Sequence, residues 1–151
     1  MTDIIDTWNI HNRINLYLLD SIAEEHFTAI SASKGRSVGE QFAHLHNVRL
    51  MWLKAAMPEL LDGQTKIEKS DINKTLLISA LNQSAEAIAK LLETGFAQNK
   101  IKGFKPHPSA FFGYLISHES HHRGQIMLTL KQSGHSVSQK VQYGLWEWGS
   151  R

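Results

Sequence analysis

The sequence predicts an all-α chain folded as a four-helix bundle with a long crossover connection. Three observations predict it. Apolar residues recur at helical spacing in four stretches. Turn-forming or proline-bearing segments separate those stretches. No alternating run bounded by hairpin turns appears, so no sheet is expected. A chain of 151 residues suits a single domain, 1–151, with room for a sizeable core.

The first stretch runs from about Ile4 to Ile30, with Ile4, Trp8, Ile14, Leu18, Ile22 and Ala29 near helical spacing, and is broken by Ser33, Lys34 and Gly35. The second opens on Ser37, with Glu40 three residues later in a capping-box pattern, and stops before Pro58. The third begins near Ser70 or Asp71 and carries Leu77, Leu81, Ser84, Ile88 and Leu91 on one face. The fourth starts around Pro108, since proline suits a first helical turn, and ends at Gly134. The segments PELLDGQTKIEK and GFAQNKIKGFK are too long for tight helix hairpins, so at least one should cross the bundle or shield an end. Trp8, Trp52, Trp146 and Trp148 read as core and tail-packing residues.

Composition narrows the function. Net charge is only +2, with Lys and Arg scattered, so the concentrated basic face that nucleic acid requires is missing. No apolar run approaches the ~20 residues of a membrane span, and the N-terminus lacks a signal-peptide pattern. A cytoplasmic protein with neither nucleic-acid nor membrane partners is expected. Cysteine is absent while histidine numbers nine, which leaves His, Asp and Glu as the strong candidate metal ligands.

Four histidine and glutamate positions cluster in one segment. His118, Glu119, His121 and His122 lie in ISHESHHRGQI, which contains a formal H-E-x-x-H. A zinc peptidase of the extended type would need a glycine where this chain has Gln125 and a histidine where it has Leu128. No peptide-binding strand is predicted beside it, so the peptidase reading is set aside. His118 and His122 are one turn apart, about 40° around the axis, and can serve one metal from a rigid helix. His121 also neighbours His118, and spacing alone does not choose the pair. The apolar stripe of Phe111, Leu115, His118, His122, Gln125 and Thr129 favours His118 with His122 and sets His121 toward solvent or a supporting role.

A third ligand should come from upstream, and His44, beside Phe42, Leu45, Val48 and Trp52, is the best candidate. His46 is rotated about 200° from His44, so the two do not face one point. His11, His26, His107 and His135 read as surface or capping residues. Gln125, Glu119, Asn12 and Asn15 are candidates to hold the ligand imidazoles, because a ligating ring generally donates its other N–H to an oxygen. Gly124 reads as a site of close helix approach, and Arg123 as a surface residue that pairs there or meets an anionic substrate. No catalytic residue is assigned.

These residues resemble the DinB family of metal-binding four-helix bundles. FAHLHNVRLMWL places His44 eight residues before Trp52, and HESHHRGQIMLTL matches the family's H-x3-H-R-G-Q pattern at His118, His122, Arg123, Gly124 and Gln125. WNIHNRINLYLLD and GLWEWG add weaker support, and the resemblance spans essentially the whole chain. It implies a divalent metal, commonly nickel or zinc, on His44, His118 and His122, and frequent homodimers. It also implies thiol S-transferase or hydrolase chemistry on a small molecule, possible partners being low-molecular-weight thiols. Three neutral imidazoles leave a coordination position open, as in catalytic rather than structural sites. A water there would titrate at about 7 instead of about 15.7, or a thiol would be held as thiolate. The alternative is a non-catalytic metal-binding or dimerisation module.

Overall fold

A computed structural model describes all residues, 1–151. Four long helices dominate: α1 (Thr2–Ser21), α2 (Val38–Ala56), α3 (Lys74–Gln98) and α4 (Pro108–Gln132), followed by a short α5 (Gln139–Gly144). No strand forms; one isolated bridge joins Ile101 and Phe104. α1 packs chiefly on α3, α3 on α2, and α2 on α4.

α1 is shorter than the apolar pattern suggested. Ile22 turns extended, with φ −96° and ψ 128°, and Glu24–Thr28 form a 3-10 turn. Ile22 and Phe27 are nonetheless buried, so the apolar rhythm is satisfied by irregular chain. The break at Lys34 and Gly35 is as expected: both take positive φ, 66° and 96°. Because α1 and α2 are not packed neighbours, the link 22–37 is the one that joins helices across the bundle. The segment 57–73 instead runs beside α2, where Asn47 pairs with both the N–H (2.9 Å) and the carbonyl (3.0 Å) of Ile67. The second long segment shrinks, because α3 continues through Gln98 before Asn99 ends it in the left-handed region.

Local chemistry fixes where the site-bearing helices begin. At α2, the Ser37 N–H donates to Glu40 Oε2 at 2.8 Å and the Glu40 N–H donates to Ser37 Oγ at 3.3 Å, a reciprocal cap. Ser37→Ala should lower stability by about 1 kcal/mol, read as a shift in urea midpoint without a change in slope. α3 starts three or four residues later than its apolar pattern suggested, with Asn73 accepting from the Leu76 N–H. α4 opens with Pro108 in its first turn, and the His107 ring caps it by accepting from Ala110 N–H at 3.2 Å.

The core divides in two. Ile14, Leu18, Phe42, Leu45, Leu77, Leu81 and Ile126 belong to one apolar cluster. Trp8, Leu53, Ile88, Leu91, Phe111 and Leu115 belong to the other. Trp148 packs against the first, but Trp146 is 80 % exposed and joins neither cluster, contrary to its reading as a tail-packing residue.

Candidate metal centre

A fully buried polar cluster ties together all four long helices. Arg49 of α2 grips Glu119 of α4 with two parallel bonds, Nε to Oε1 at 2.7 Å and Nη2 to Oε2 at 2.8 Å. Its Nη1 donates to the Leu81 carbonyl at 2.8 Å and to Ser84 Oγ at 3.2 Å on α3, and its guanidinium lies 4.9 Å from the Trp8 ring. From α1, Asn15 Nδ2 (2.8 Å) and His11 Nε2 (2.9 Å) complete the shell of Glu119 Oε2. Arg123 Nη1 donates to Asn15 Oδ1 at 2.6 Å, so the guanidinium of the HRGQ segment secures the side chain that secures Glu119.

Burial alone would raise the pKa of Glu119. The charge and hydrogen bonds of Arg49, with His11 beside it, hold the carboxyl far below the ordinary carboxylate range. Burial lowers the pKa of His11 despite that carboxylate. A neutral His11 that donates from Nε2 satisfies the arrangement, leaving Nδ1 buried without a partner.

This cluster corrects several sequence expectations. His11 is 0 % exposed and belongs to the core, not the surface. Arg123 is half-buried and binds inward. Glu119 lies at the centre of the buried face of α4, with Phe111, Leu115, His122 and Ile126, whereas His118 is half-buried and Gln125 exposed. The apolar stripe was therefore centred one residue off, because a buried glutamate does not register in an apolar pattern. Asn15 and Glu119 bind each other and make no bond to the predicted ligand rings, and Asn12 donates to Asn82 at 3.4 Å. Gly124 is exposed, and a Cβ there would meet nothing within 4 Å, so it mediates no close approach.

One turn of packing away, His44, His118 and His122 converge. Each offers a ring nitrogen, and these atoms lie within 4.8 Å of one another. The ring centroids of His44 stand 5.4 Å from His118 and 4.5 Å from His122, and those of His118 and His122 are 4.6 Å apart. α2 contributes one ring and α4 two, so the packing of these helices sets the spacing. His46, on the far side of α2, bonds the Thr65 carbonyl at 2.8 Å, as its rotation implies. His121 is exposed and outside the converging set.

The chemistry of the donor set fits a divalent cation. Gln41 Oε1 lies 2.6 Å from His122 Nδ1, so that nitrogen carries the proton and Nε2 presents its lone pair. His122 Nε2 faces His118 Nε2 at 3.2 Å, the separation of two nitrogens each about 2.0–2.1 Å from one ion at an angle between about 90° and 110°. Burial, then Arg36, then His118 depress His44 to about 4. Burial and the neighbouring imidazoles bring His122 to about 4 as well, and burial lowers His118. Neutral rings with free lone pairs are thus the resting state near neutrality.

Gln41 is the residue that sequence reasoning missed. It grips His122 directly and donates from Nε2 to Gln125 Oε1 at 3.2 Å, so Gln125 reaches the imidazole only through it. The signal was present: Gln41 lies three residues before His44, on the same face of α2. Gln41→Leu should weaken metal affinity about 10–100-fold while leaving the helical circular dichroism intact, measured by competition with a chromophoric chelator.

A family model described as DinB family matches residues 1–148. The chain belongs to the DinB family. Solved structures agree in fold. A DinB-like protein from Bacillus subtilis superposes with a TM-score of 0.65 at 17 % identity, covering 90 % of this chain and 96 % of that one. A DinB-like protein from Bacillus cereus gives 0.63 at 19 % identity, covering 91 % and 95 %. At such identities the likeness is one of fold. No curated protein matches the chain. For this DinB-family chain, no helix is long and apolar enough to cross a membrane.

Proposed function

We propose that this DinB-family protein holds one divalent metal, nickel or zinc, on His44, His118 and His122. The centre then acts on a small molecule, as a thiol S-transferase or a hydrolase. The observation that carries the reading is the convergence of three neutral imidazole donors within 4.8 Å. A divalent cation bound there supplies Lewis acidity to a small oxygen or sulfur nucleophile.

The residues of the chain divide the remaining work. Gln41 fixes the tautomer and orientation of His122. Tyr114 stacks on His118, with ring centroids 5.9 Å apart and planes 16° from parallel, and limits its rotation. The buried Arg49–Glu119 pair fixes α2 against α4, the two helices that supply the ligands. A cleft of about 310 Å³ has His44 in its wall, though neither His118 nor His122, and offers a small substrate an approach from the α2 side. A larger hollow of about 430 Å³, between residues 59–64 and α3, is lined by no histidine.

Metal-reconstituted protein should turn over members of a panel of thiol acceptors, esters and amides, and should lose that turnover with chelator. Metal bound at one per chain without turnover on any of them would favour the rival reading, a non-catalytic metal-binding or dimerisation module. In that case chelation should still lower the melting temperature sharply. A homodimer and a low-molecular-weight thiol partner belong to the proposal and are tested by sedimentation and by direct binding.

A further inference from the structure

The cleft beside His44 carries an unmatched charge. Its wall contains three cations, Arg36, Lys66 and Lys69, and two acids, Glu40 and Glu68. Lys66 Nζ lies 3.0 Å from Glu68 and Lys69 Nζ lies 3.3 Å from Glu40. Each acid therefore has a lysine, and Arg36 has neither an ion pair nor a hydrogen bond from its side chain to the protein.

Arg36 is exposed and stands just before α2. It precedes the cap residue Ser37, at the end of α2 where the helix dipole is positive and disfavours a cation. It shares the cleft wall with His44, one of the three converging rings. An exposed, unpaired guanidinium there is electrostatically complementary to an anion lying between it and the metal centre. Its planar fork matches two carboxylate oxygens, which a lysine does not.

We propose that Arg36 is a specificity-determining residue that binds a carboxylate on the small substrate while its reacting atom sits at the three-histidine centre. The inference deepens the metal-enzyme reading and rests on it.

The test uses cobalt(II)-loaded full-length protein and two probes of equal shape, 3-mercaptopropionate and 3-mercaptopropionamide. Binding is read from the thiolate-to-cobalt absorption. The native protein should bind the carboxylate about tenfold more tightly than the amide, the scale of one charge-assisted bond at a partly exposed site. In Arg36→Gln that ratio should fall to about twofold or less, with the amide bound as before and cobalt held at least as tightly. Arg36→Lys should retain part of the preference. Equal affinities in the native protein, or a preference that survives in Arg36→Gln, overturn the proposal. Failure of the native protein to take up one cobalt per chain overturns the metal-centre reading and the proposal with it. That failure is recognised by the missing cobalt spectrum before any thiol is added.

Discussion

Glu119→Ala should destabilise the protein by about 3–5 kcal/mol, a large share of a typical domain's stability. The alanine removes both oxygens that hold Arg49 and leaves its guanidinium buried beneath Trp8 with only Leu81 and Ser84 as partners. It also orphans His11 Nε2 and Asn15 Nδ2, and so loosens Arg123. Urea unfolding is the measurement, with the midpoint falling at constant slope. Replacing both charged partners together, Glu119→Leu with Arg49→Met, should recover part of the loss, because the cost lies in the unpaired charge more than in the missing attraction.

Acid acts on the same cluster. The Glu119 carboxyl is depressed in the folded state, so its contribution is complete above its unfolded value of 4.5 and is lost as pH falls below it. Buried His11 and His46 are also depressed, from 6.5, mainly by burial. Between those folded values and 6.5 the unfolded chain binds more protons, so stability declines as pH drops below about 6.5. Both effects have the same sign. Metal-free protein should therefore unfold at progressively lower urea concentration from about pH 7 to about pH 4.

His44→Ala and His122→Ala should each weaken metal affinity by at least about a hundredfold, because loss of a direct ligand exceeds the loss of a residue that merely orients one. The two variants probe different helices, α2 and α4. Equal failure in both distinguishes a centre shared between helices from a pair on α4 alone. With His44 and His122 near 4, protons compete poorly for the lone pairs at neutrality. Occupancy should hold from about pH 8 to about pH 6 and fall only toward about pH 4. Equilibrium dialysis with elemental analysis reads both effects.

Much of this was legible in the sequence, for identifiable reasons. The spacing of His118 and His122 on a helix, and an isolated histidine in an apolar second helix, named three rings that the fold brings together. Ser37 with Glu40, Pro108 and Gly134 marked helix ends through local chemistry, which depends little on tertiary context. What stayed hidden was polar and central. Arg49, Glu119, His11 and Asn15 occupy core positions that an apolar pattern codes as gaps, so the rhythm of α4 was placed on His118. Trp8, His11, Asn15 and Leu18 do follow one helical face, and that continuity was the available clue that the polar pair points inward. The end of α1 was illegible because Ile22 and Phe27 bury their side chains from irregular backbone.

X-ray absorption at the metal edge of the reconstituted protein reads the ligand set itself. Three imidazole nitrogens at about 2.0–2.1 Å are expected, falling to two in His44→Ala with loss of stoichiometric metal. An unchanged three-imidazole signal and full occupancy in His44→Ala would contradict this and place the ion on a set of histidines that excludes His44.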